Sequence, residues 1–231
     1  MTKHPYDEAK VRATARELAA NIYAVKNHWP IAATAAMSAV RRRLPLGACN
    51  RFMSDQSAFA GGGGMLGLSA FAGEVKRVFA SRAANVEIDE AVDAWGIPES
   101  VISQGNCTDP IRTEMAEAMG YLAIKLGGGN CQYQAGATYM ALREAGVAPI
   151  DLIMIFRRGG TFTSESRRHA TVVIGIQSGF PNQRQPEFSR WQPNAVVADT
   201  WETDRSEAPA ELAARYPVAD HIFLSFARWE G

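Results

Sequence analysis

The sequence predicts an α+β protein, with a helical first half and a mainly antiparallel sheet in the second. Three observations lead there. Apolar residues recur at helical spacing as far as Gly146, and short β-branched runs bounded by polar loops follow it. The strands come after the helices instead of alternating with them, which argues against a doubly wound α/β sheet. The chain has 231 residues, 47% of them apolar and 21% charged, enough to bury a sizeable core.

Residues 6–28 carry Val11, Ala15, Leu18, Ala19, Ile22 and Val25 on one helical face, and residues 31–44 read as a second helix ended by Pro45. The GGGG run at 61–64 reads as a flexible joint or a tight turn cluster, with four consecutive glycines favouring the joint. A third helix is expected over 66–84 and a short helical turn over 89–95. Thr108-Asp109-Pro110 is a helix start, a capping residue before a first-turn proline, and Gly127-Gly128-Gly129 ends the helix that follows. The next helix begins on Cys131 and runs to Ala145. Strands are expected at 150–156, 169–176, 194–201 and 221–229, with a short helix at 210–216.

Formal net charge is zero, which excludes bulk electrostatic attraction to nucleic acid or an anionic membrane. Arg41-Arg42-Arg43 is the one strong basic run, and as the polar end of a helix it needs no partner. No apolar run is long enough to span a membrane. Cys49, Cys107 and Cys131 are widely spaced and form no zinc pattern, so neither a structural metal nor a disulfide framework is expected. The glycine runs match no phosphate- or dinucleotide-binding motif, so no cofactor is expected. The N-terminal segment has charges throughout and no apolar core, unlike a cleaved Sec signal; export would use another route.

Three residues line up for chemistry. Cys131 opens a helix, where backbone amides and the macrodipole favour thiolate. His169 stands at the start of a strand, and Asp199 stands at the end of another. A thiol nucleophile needs an imidazole to take its proton, and the imidazole needs a third group to orient it. Cys107 repeats the Gly-Asn-Cys spelling, but Asp109 and Pro110 place its helix start beyond the thiol. Of the remaining histidines, His4 and His28 lie outside the region, and His221 is the competitor to His169.

The ordered segments GGNCQYQAGATYMALREAGVAP, RRHATVVIG and AVVADTW resemble the papain-like cysteine enzymes of the bacterial effector and toxin branch, the YopT-type proteases and Cys-His-Asp glutamine deamidases. The resemblance spans roughly residues 125–203. It implies a papain-like fold with Cys131 as nucleophile, His169 as general base and acid, and Asp199 as the orienting group. Where papains carry an oxyanion-stabilising glutamine before the nucleophile, this chain has Lys125, so backbone amides near Cys131 are expected to serve, helped by the side chain of Asn130 or Gln132. Trp201 reads either as an apolar wall beside the triad or as a core residue. The implied activity is glutamine deamidation or proteolysis of a protein substrate in a host or prey cell, the 38-position gap between Cys131 and His169 favouring the deamidases. A transglutaminase-type acyl transferase and a non-enzymatic helical interaction protein are the alternatives. Residues 1–100 are expected to form a helical recognition or delivery region, and 101–231 the catalytic domain.

Overall fold

The computed structural model describes residues 7–46, 65–94, 107–159, 167–177 and 191–231. Cys49 and the GGGG run lie outside them. In chain order the elements are α1 (Glu8–Ala19), a 3-10 turn (Tyr23–Val25), α2 (Trp29–Arg43), α3 (Met65–Ala94), α4 (Pro110–Leu126), α5 (Cys131–Glu144), β1 (Ile150–Arg157), β2 (Arg167–Ile176), β3 (Trp191–Ala198), α6 (Pro209–Arg215) and β4 (His221–Trp229). The α+β class holds, with one four-stranded antiparallel sheet in the order β3-β2-β1-β4.

Local chemistry accounts for most boundaries. Asp7 caps α1 by accepting from the Ala9 amide, and Asp109 caps α4 by accepting from Ile111. Gly127 takes the left-handed conformation, φ 73°, that closes α4. Two expectations are corrected. The helix expected over 6–28 ends at Ala19 and resumes only as the 3-10 turn. The turn expected at 89–95 is the last stretch of α3, continuous from Met65. Nothing between Ala84 and Ala94 is a glycine or proline, so nothing breaks the helix there.

α5 is the centre of the molecule. Every residue from Tyr133 to Leu142 is buried, because α5 is packed against α1, α2, α4, β1 and β2. The approach of α4 is close enough that Gly120 and Gly136 face each other's backbones. A Cβ on Gly120 would meet the Ala137 nitrogen at 2.5 Å, and one on Gly136 would meet the Ala116 carbonyl at 2.6 Å. One sheet face packs on this helical layer; the other carries Ile153, Ile155, Val173, Val197 and Phe223 under Leu212 of α6. Burial on both faces explains why β1 reads as the unbroken apolar run IDLIMIF.

The helices of the first hundred residues belong to the same core. Val11, Leu18, Ala36, Met37, Val40 and Ile88 pack in one cluster with residues of α4, α5 and the sheet. The boundary expected near residue 100 therefore falls between elements that share a hydrophobic core. Arg41, at the polar end of α2, donates through Nε to the Thr200 carbonyl at 2.7 Å, and its guanidinium also reaches the Thr203 carbonyl and the Asp204 carboxylate.

Because the α4–α5 crossing leaves no room for a methyl group, Gly120→Ala is expected to cost about 3 kcal/mol, seen as a lower urea midpoint. A variant with the wild-type midpoint would show that the two helices are less tightly apposed.

Candidate active site

Asn130 builds the first turn of α5. Its Oδ1 accepts from the Gln132 amide at 2.9 Å and the Tyr133 amide at 3.2 Å, while its carbonyl accepts from Gln134. Gln134 donates back to the Gly129 carbonyl at 3.1 Å, fixing the chain just before the nucleophile. Cys131 is thus held at the first position of a fully capped helix and is half-buried. Its amide meets no acceptor among the described residues.

His169 and Asp199 are buried, with exposures of 2% and 0%. β2 begins at Arg167, so His169 lies in its first turns of pleat, paired with Ile155 of β1. β3 ends at Ala198, one residue before Asp199; the expected strand through Trp201 is cut short by the turn at 200–202. In that turn Asp199 Oδ1 accepts from the Glu202 amide at 3.1 Å. His169 Nε2 donates to Asp199 Oδ2 at 2.8 Å. The Cys131 sulfur is a neighbour of the His169 ring, whose second nitrogen, Nδ1, is not taken up by Asp199. The structure thus brings Cys131, His169 and Asp199 together.

The electrostatics follow from this burial. Burial disfavours a charged imidazole, but the hydrogen bonds and negative charge of Asp199 and Cys131 outweigh it, and His169 is pushed up to about 10. Burial would raise Asp199; the His169 bond and charge, the Glu202 amide and Arg215 together hold its carboxyl below the ordinary range.

The competing residues are accounted for. His221 turns its Nδ1 to the Pro217 carbonyl and packs edge-on to Tyr216. Cys107 is buried beside Ser225, Asp151 and Arg228, where burial pushes its thiol up and makes it a poor nucleophile. Of the expected oxyanion helpers, Asn130 uses its side-chain oxygen for the cap, which leaves its side-chain amide group as a donor, and Gln132 donates its side-chain amide to the Met119 sulfur at 3.0 Å. The Cys131 backbone amide is a further donor at this position. Trp201 is buried in the turn just after Asp199.

Around the triad stand four residues that sequence reasoning does not single out. Arg215, the last residue of α6, donates to Asp199 Oδ2 at 3.0 Å and grips Glu207 with two bonds of 2.7 Å. Its Nε makes an ion contact with Glu202 at 2.7 Å. Tyr216 stacks nearly parallel to the His169 ring, at 4° and 5.3 Å between centroids, and donates to Glu202 at 2.8 Å. These residues lie up to 17 positions from Asp199 in an irregular segment, where no periodicity links them. The one readable signal is the α6 start, where Pro209 stands at the first turn and Glu211 accepts from the Ala208 amide.

His169, Asp199 and Glu202 each offer a ligand atom within 4.8 Å of one another. Arg215 already places a guanidinium against both carboxylates, so a metal cation there would meet a fixed like charge at contact distance. The group is better described as an ion-pair cluster. No family model, curated protein or solved structure matches the chain.

The pH dependence of stability carries the signature of the pair. His169 is raised above its ordinary 6.5, so its contribution is full below about that pH and is lost as pH rises toward 10. The lowered Asp199 acts on the acid side, its contribution present above 3.8 and lost as pH falls. Urea midpoints measured from pH 6 to 10 are expected to fall more steeply for wild type than for His169→Gln. Parallel curves would show that the imidazole is not held in its charged form.

Proposed function

We propose that this protein is a thiol-dependent amide hydrolase acting on a protein substrate, with Cys131 as nucleophile, His169 as acid and base, and Asp199 as the orienting group. One observation carries the reading. A buried His169–Asp199 hydrogen bond of 2.8 Å fixes the imidazole beside a cysteine at the start of a capped helix. A surface histidine or a packing cysteine has no need of such an arrangement.

The proposed reaction uses these groups in turn. The Cys131 sulfur, as thiolate beside imidazolium, attacks the amide carbonyl carbon, and the carbonyl π electrons move to oxygen. The Cys131 amide at the positive end of α5 is placed to receive that oxyanion. When the C–N bond breaks, His169 gives its proton to the departing nitrogen, leaving a thioester on Cys131. Neutral His169 then takes a proton from water as the water attacks the thioester carbonyl, and the thiolate leaves as the acid is released. Asp199 keeps the ring in the tautomer with Nε2 protonated throughout. A glutamine side chain would release ammonia, and a peptide bond would release an amine; both steps use the same groups. The resemblance of the three segments to the effector and toxin branch supports a substrate in another cell, with glutamine deamidation as the favoured outcome.

The test is incubation with candidate target proteins and glutamine-containing peptides, followed by mass spectrometry. A gain of about 1 Da at a glutamine, or cleavage, is expected, and Cys131→Ala should reduce the rate by about a thousandfold or more. Turnover that survives in Cys131→Ala would remove the cysteine from the chemistry.

A further inference from the structure

We propose that Arg215 is a positioning residue that shares Asp199 Oδ2 with His169, and so sets how tightly the triad holds its proton. His169 Nε2 and Arg215 Nη2 converge on the same carboxylate oxygen, at 2.8 Å and 3.0 Å. The Asp199 side chain is fully buried and His169 nearly so, while the Arg215 side chain is 30% exposed, so bulk water screens the arginine bond only in part and the histidine bond hardly at all. The second oxygen, Oδ1, is committed to the Glu202 amide. A carboxylate alone at this distance would hold imidazolium strongly, which favours the ion pair but opposes giving the proton to a leaving nitrogen. A guanidinium on the shared oxygen takes part of that charge and moderates the hold.

The charge on Arg215 is itself moderated. Glu207, 6% exposed, grips it with two bonds, and Glu202 contacts its Nε. The groups facing His169 are Asp199, the Cys131 sulfur and the Tyr216 ring, whose hydroxyl is bonded to Glu202. Further out lie the Arg205–Glu211 pair on α6, His221 against Tyr216, and Arg41 with Asp204 on the turn after Asp199. Glu207 is held to β3 by backbone bonds to Val197 in both directions, so the arginine's anchor is built into the sheet. The result is a graded chain, Glu207 to Arg215 to Asp199 to His169, in which each link offsets the one before it.

Two substitutions with opposite expected signs test this. Arg215→Gln removes the competing cation, and the His169 titration midpoint is expected to move up by about one pH unit. Glu207→Gln releases the full charge of Arg215 toward Asp199, and the midpoint is expected to move down. Both are read from the His169 ring-proton resonance by NMR titration of the full chain, with thermal unfolding as the check on folding. Midpoints that stay put, or a downward shift in Arg215→Gln, would overturn the proposal and leave Arg215 as a strut. If Arg215→Gln does not fold, the Glu207→Gln shift decides alone. The consequence for turnover rests on the thiol-hydrolase reading, and the two are separable. Iodoacetamide labelling of the same samples reports whether Cys131 is reactive, and an inert Cys131 with both shifts as expected would sink the enzyme while leaving the charge sharing intact.

Discussion

The hydrogen bond between His169 and Asp199 is the constraint on which the surrounding structure depends. Both side chains are removed from water, and an ionised pair so placed is costly unless every remaining lone pair and proton finds a partner. The second half of the fold supplies those partners. The turn after β3 offers the Glu202 amide, the end of α6 offers Arg215, and Tyr216 covers the imidazole face. Arg41, on α2 of the first half, pins the same turn by its carbonyls, and Thr34 accepts from the Ser206 amide at 3.1 Å. The N-terminal helices therefore act on the candidate site by holding its acidic turn.

A second constraint positions the sulfur. α5 passes through the middle of the core and is partly exposed only at its two ends, Cys131 and Gln132 at one and Arg143 and Glu144 at the other. It does so because its sequence is small where it meets α4 and apolar almost all round. Gly120 against Gly136 lets the helix axes approach, and the Asn130 cap terminates α5 at the residue that carries the thiol. Shifting that cap by one residue would rotate the nucleophile by about 100° around the helix. The position of Cys131 is thus set by packing at one point and by capping at another.

Much of this was legible in the sequence, for local reasons. Asp109-Pro110 and the triple glycine bound α4 because capping and left-handed backbone are written in single residues. Helix-then-strand order indicated the antiparallel sheet, and Cys131 and Asp199 stand out because each sits at the edge of an element, while His169 lies just inside the start of β2. The ion-pair cluster was not legible. Glu202, Glu207, Arg215 and Tyr216 are joined by tertiary contacts across a loop and a short helix, and their spacing follows neither a helical nor a strand period. The long α3 was read as two pieces because its apolar residues are distributed on all sides, which removes the periodic signal that marks a single helix. The tie from Arg41 to the turn after β3 is likewise not legible, because nothing local distinguishes it from Arg42 or Arg43.

The central claim is that Cys131, beside the buried imidazole, is a nucleophile and not a packing residue. The most direct measurement is the rate of Cys131 alkylation by iodoacetamide at pH 6, followed by peptide mapping, in wild type, His169→Asn and Asp199→Asn. The account predicts that Cys131 reacts well before Cys107 in wild type. It also predicts that His169→Asn slows it by about tenfold or more, with Asp199→Asn falling between them. Equal rates in wild type and His169→Asn would contradict the account and return Cys131 to a packing role at the start of α5.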